Sequence, residues 1–129
     1  MYPNVFQTLD VEPVRALLKA PGGPLRAFLF GQNQQQPPVY PYTVWRQIGG
    51  SPENYLGQRP DIDSFQTQHD VYVAASDPAG ASTARTIAAA LRDALESAAY
   101  VTAWIGDGRD PVTQSYVFTF QVDWLTPRA

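Results

Sequence analysis

The chain has 129 residues, 44% hydrophobic and 16% charged, a composition that builds one globular domain with a real core and excludes a disordered chain. Nine basic and twelve acidic residues leave a net charge of −3, which argues against nucleic acid or an anionic membrane as main partner, since both reward a basic face. There is no cysteine, hence no disulfide framework and no thiolate zinc site.

The opening MYPNVFQTLDVEP has no basic region followed by an apolar run, and no stretch approaches the roughly 20 apolar residues that span a bilayer. The expectation is a soluble intracellular protein. LDVEPVRALLKAPGG reads as a short helix with Val11, Val14, Leu17 and Leu18 on one face, Asp10 as N-cap and Pro13 in the first turn. Pro21, Gly22 and Gly23 end it. PLRAFLFG fits a short buried strand, and GQNQQQPPVYP, with two adjacent prolines and no periodicity, is a loop.

YTVWRQI alternates as a strand and hands over to GGSPENYLGQRPD, a loop running from Gly49 to Asp61. Its three glycines, two prolines and Tyr55–Leu56 pair exceed the needs of a hairpin, and long loops in small domains are where partners bind. FQTQHDVYVAA alternates again, with Phe65, Thr67, His69, Val71 and Val73 on one side. The clearest helix spans Asp77 to Ala98, with Asp77 as N-cap, Pro78 at its first position and an apolar stripe of Ala84, Ile87, Ala88, Leu91, Leu95 and Ala98. YVTAWI is a strand, GDGRDPVTQ a turn region, and SYVFTFQVDWL a strand with Tyr116, Phe118, Phe120, Val122 and Trp124 on one face. The whole predicts a single α+β domain over residues 1–129, with a mostly antiparallel sheet packed against two helices.

The chemistry concentrates in RPDIDSFQTQHDVYV, which holds Asp61, Asp63, Asp70 and the only histidine, His69. On a strand, Asp63 and His69 lie about 20 Å apart, too far to share one ion at a ligand distance of about 2 Å. Asp70 points away from His69. The expected reading is a partly buried strand histidine, with Asp61 and Asp63 closing the preceding loop. No serine lies in a nucleophile elbow, no phosphate-binding glycine loop is present, and the only lysine is Lys19. Asp107 and Asp110 sit in a stretch with turn composition, where Asp and Gly belong for backbone reasons. The aromatics total sixteen, and Tyr116, Phe118, Phe120 and Trp124 are strand-periodic and read as core; without a basic groove a base-stacking platform lacks its electrostatic term. Catalytic residues, cofactor and metal are all expected to be none.

The order of the pieces resembles the small tail-completion or tail-terminator proteins of long-tailed bacteriophages, a group that includes minor tail protein U-like neck proteins. VRALLKAPGGPLRAFLFG is similar to the family's opening helix and short strand, and YPYTVWRQIGGSPE to its proline–aromatic strand. DSFQTQHDVYVAASDPAGASTARTIAAALRDALES resembles its alternating strand and long alanine-rich helix, and SYVFTFQVDWL its closing strand. The resemblance implies a structural protein without enzymatic activity. Such a protein forms a ring of six copies on the last ring of the tail tube, stops polymerisation and joins the head. Its implied partners are itself, the major tail tube protein and a head–tail connector or head-completion protein. DNA would pass through the lumen without specific binding. The implied location is the neck of the virion, after assembly in the host cytoplasm. The expected interface residues are Gly49, Gly50, Tyr55, Leu56, Arg59, Asp107 and Arg109. A head-closure or connector-adaptor protein, and a cellular adaptor or small hydrolase, stand as alternatives.

Overall fold

In a computed structural model, which describes residues 2–33, 37–54, 57 and 59–128, the alternating stretch around His69 becomes the middle of a five-stranded sheet. The strands are β1 (Ala27–Leu29), β2 (Tyr42–Pro52), β3 (Ile62–Val73), β4 (Tyr100–Arg109) and β5 (Tyr116–Pro127), in the order β1-β2-β3-β5-β4. The β1–β2 pair is parallel and the other three pairs are antiparallel. Three helices, α1 (Val5–Leu9), α2 (Glu12–Leu18) and α3 (Gly80–Leu95), complete an α+β fold.

Period-two alternation decides which face the helices cover. Phe65, Thr67, His69, Val71 and Val73 of β3 pair with Trp124, Val122, Phe120, Phe118 and Tyr116 of β5, and all five β3 residues are buried. Against them α3 lays Ala84, Ile87, Ala88, Leu91 and Leu95, all almost fully excluded from solvent. The small alanines let the helix axis come close to the sheet. Val5 and Leu9 of α1 and Val14 and Leu18 of α2 close the same core from the side. The opposite face of the sheet carries Val44, Arg46, Gln68, Asp70, Thr119 and Gln121, none of them buried.

The expected single N-terminal helix is two, which makes three helices where two were expected. Asp10 is not an N-cap: it ends α1, and Val11 precedes α2. Arg15 donates from Nε to Asp10 Oδ1 and from Nη2 to the Asp10 carbonyl, both at 2.8 Å, and so holds the chain bent between the helices. At the other helix, Asp77 Oδ1 accepts the Ala79 N–H at 2.8 Å, which shapes a turn before the helix rather than capping it. The helix therefore starts at Gly80, two residues after Pro78, and ends at Leu95 instead of Ala98.

Gly80 meets the Tyr116 ring so closely that an added Cβ would lie 2.1 Å from Cδ2 and 2.4 Å from Cε2. In an exposed helix, Gly→Ala gains about 1 kcal/mol from propensity. Here the overpacking penalty of about 1–3 kcal/mol opposes and exceeds it. Gly80→Ala is expected to lower the melting temperature; a rise would show that Tyr116 moves aside freely.

Candidate functional site

The acid and imidazole groups that cluster in the sequence separate in the fold. Asp63 lies in β3, not in the loop before it, and is buried; Arg128 donates to its carboxylate from Nε at 3.0 Å and Nη2 at 2.9 Å. These bonds hold the Asp63 carboxyl below the usual carboxylate range. Asp70 sits on the opposite face, where it accepts the Thr119 hydroxyl at 2.7 Å. Among the described residues no three His, Asp or Glu side chains gather as a metal site would require.

His69 is fully buried rather than partly so. Its ring stacks on Phe120 with centroids 5.2 Å apart and 13° between planes. Nε2 lies 2.8 Å from Thr67 Oγ1, which also accepts the Trp124 indole N–H at 2.9 Å. Nδ1 has no hydrogen-bond partner among the described residues. Burial lowers the imidazole pKa from 6.5 to about 3, so the folded chain keeps the ring neutral. Between those two values the unfolded chain binds one proton more than the folded one. Stability from this group is therefore lost as pH falls through the window, by up to about 1.4 kcal/mol per pH unit. Relative to wild type, His69→Leu is expected to show a flatter decline of unfolding free energy from pH 6.5 down to 4.5. Parallel curves for the two proteins would refute the buried neutral ring.

The expected interface residues fall into three groups. Gly49 and Gly50 do not open a loop: they lie inside β2, opposite Gln66 and Phe65, just past a bulge at Ile48. A Cβ on Gly50 would stand 2.5 Å from the Ser64 carbonyl oxygen, so glycine is needed for close approach of the two strands. The loop shrinks to residues 53–61. Arg59 is exposed on it, while Tyr55 and Leu56 lie outside the described residues. Asp107 and Arg109 belong to β4, so the turn covers only residues 110–115; the Asp110 carboxylate organises it by accepting the N–H groups of Val112 and Thr113. Arg85 of α3 grips Asp107 through both guanidinium prongs and lowers its pKa. Arg109 donates twice to the Gln114 carbonyl and lies 4.4 Å over the Tyr116 ring. Both side chains already have partners within the chain itself.

What sequence reading missed is where the exposed apolar groups lie. Tyr100, Trp104 and Ile105 stand out from β4, one end of the sheet, at 68%, 49% and 56% exposure. At the other end, Tyr2, Phe6 and Leu29 border a recess of about 430 Å³ between the N-terminal segment and β2. A second cleft, of about 460 Å³, opens beside Tyr42, Tyr72 and Asp110. Tyr42 stacks on Tyr72 at 4.9 Å and is pushed up to about 12, chiefly by burial. A phenol held that high stays protonated at neutral pH and does not serve as a base. Among the described residues, neither the recess nor the cleft brings together an acid–base pair.

Among known protein families, the one described as "Tail completion protein gp17" matches residues 5–127. No individual curated protein matches the chain. Among the described residues no helix is long and apolar enough to cross a membrane. The match takes in every helix and strand from α1 to the end of β5. The chain belongs to the phage tail completion protein family, structural components of tail assembly.

Proposed function

We propose that this protein ends the tail tube. Six copies form a ring on the last ring of tube subunits, stop polymerisation and present their free side to the head's connector or head-completion protein. The observation that carries this reading is the family match across residues 5–127. Its support in the molecule is a surface built for contact: two apolar ends on one sheet, and a loop at residues 53–61 whose root is fastened. A subunit of this size offers two side faces of about 800 Å² each, the standard area of a specific interface. The net charge of −3 suits a lumen through which DNA slides without sticking.

In this reading Tyr55, Leu56 and Arg59 lie on the contact loop, Gly49 and Gly50 shape its base, and Asp107 and Arg109 rim the β4 end. Shortening the loop between Glu53 and Asp61 is expected to leave the melting temperature within about 1 kcal/mol equivalent of wild type while weakening assembly. Unfolding of the shortened protein would place the loop in the core.

The genetic test is deletion of the gene. DNA-filled heads should accumulate unattached, beside tails of abnormal and variable length. Normal-length tails joined to heads would remove the terminator role and favour a connector adaptor.

A further inference from the structure

We infer that the β4 edge of one copy seats against the opposite end of the next copy's sheet, with Trp104 entering the recess bordered by Tyr2, Phe6, Leu29 and Trp45. The inference rests on the ring reading above and names the two surfaces that meet in it.

The two ends of the sheet are both open and unlike each other. β1 has only three residues and pairs with Thr43–Trp45, so among the described residues no strand lies outside Arg46–Pro52 of β2. Thr43 donates its N–H to the Arg26 carbonyl and Trp45 accepts from the Phe30 N–H. Alternation therefore turns the backbone groups of Gln47 outward as well. Pro52, which has no N–H to leave unpaired, suits an outer row. At the far end, β4 pairs with β5 alone among the described strands, through eight of its ten residues.

The apolar groups at the two ends are placed to meet. Trp104 lies opposite Phe120 and touches the rings of Phe118 and Phe120, which puts it on the helix-covered side of the sheet. The recess opens on that side too, because Trp45 and Thr67, which line it, share the face of His69. A neighbour that continues the sheet by rotation thus presents Trp104 to the recess without turning over. Direction agrees as well: three successive antiparallel pairs from β2 to β4 make β4 antiparallel to β2. A large aromatic side chain carries about 150–250 Å², so the exposed part of Trp104, with Ile105 beside it in sequence, supplies an apolar anchor within an interface of about 800 Å² per partner. Two bulges, between Val101 and Ala103 and between Trp104 and Gly106, interrupt the β4 ladder. They keep backbone pairing short and leave Trp104 as the anchor. Head-to-tail contact of this kind, when it closes, covers both open edges of every copy at once.

The chain has no cysteine, so introduced ones report cleanly. Phe6→Cys and Ile105→Cys proteins, mixed at high concentration under mild oxidation, should form a disulfide-linked heterodimer well above the level of either protein alone. The double variant should form a ladder of linked copies. Trp104→Ala, and separately Leu29→Glu on the recess side, should each reduce the mixed cross-link about tenfold while keeping a cooperative melt. Efficient cross-linking of Ile105→Cys with itself would overturn the inference in favour of a two-fold edge-to-edge pair. Absence of any disulfide between positions 6 and 105 would overturn it outright. The measurement uses free protein, so its failure leaves the capping role untouched, and a knockout with normal, joined tails would leave the cross-link as found.

Discussion

The register of β3 is the constraint on which the other elements depend. It is the one described strand bonded on both sides along nearly all of its length, to β2 from Pro52 to Tyr42 and to β5 from Pro127 to Tyr116. A slip of one residue would carry Phe65, Thr67, His69, Val71 and Val73 to the open face and bring Asp70 and Gln68 under α3. The buried polar groups sharpen the choice. Thr67 can satisfy both the Trp124 indole and the His69 imidazole only when β3 and β5 stand in this one alignment. A neutral, desolvated histidine is a poor source of stability; the register is held by the apolar residues beside it and by the Trp124 bond to Thr67 that reaches across from β5.

That register also separates the faces by role. The helix side is dry and alanine-lined, so α3 sits close and contributes packing. The open side carries amide and hydroxyl groups such as Gln68, Gln121 and Thr119, held by bonds such as Thr119 to Asp70, together with the Tyr42–Tyr72 stack and the exposed Leu125. Exposed apolar groups also gather at the two ends of the sheet, where the strands run out, Trp104 and Ile105 on β4 and Tyr2, Phe6 and Leu29 beside β1 and β2. A sheet with open, apolar ends is suited to lateral assembly.

How much of this could be read from the sequence follows from the range of each cause. The α3 stripe and the β3 and β5 alternation are periodic over ten or more residues, and the chain announces them. The break between α1 and α2 turns on one arginine reaching back to Asp10, which no periodicity encodes. Gly49 and Gly50 looked like a loop because glycine weakens strands. Their actual cause is the Ser64 carbonyl on the neighbouring strand, visible only once β2 and β3 are paired. Asp107 and Arg109 looked free for a partner because a turn composition hides the partners they already have, Arg85 and Tyr116. Exposure of Trp104 was equally hidden: the same sequence YVTAWI would bury its tryptophan in a central strand and shows it only because β4 is the last one.

The clasp at the end of β5 has a consequence for how the protein can change over time. Arg128 binds Asp63 through its side chain and donates its N–H to the Asp61 carbonyl at 2.8 Å, while Glu53 bonds back to Ile62 at 2.9 Å. The two roots of the loop at residues 53–61 are thereby tied to the sheet independently of whatever lies between them. Insertions, deletions or wholesale replacement at the tip need not disturb β3 or its register. A lineage can then exchange the loop in steps that each leave a folded chain, and the clasp rather than the loop sequence is what must be kept.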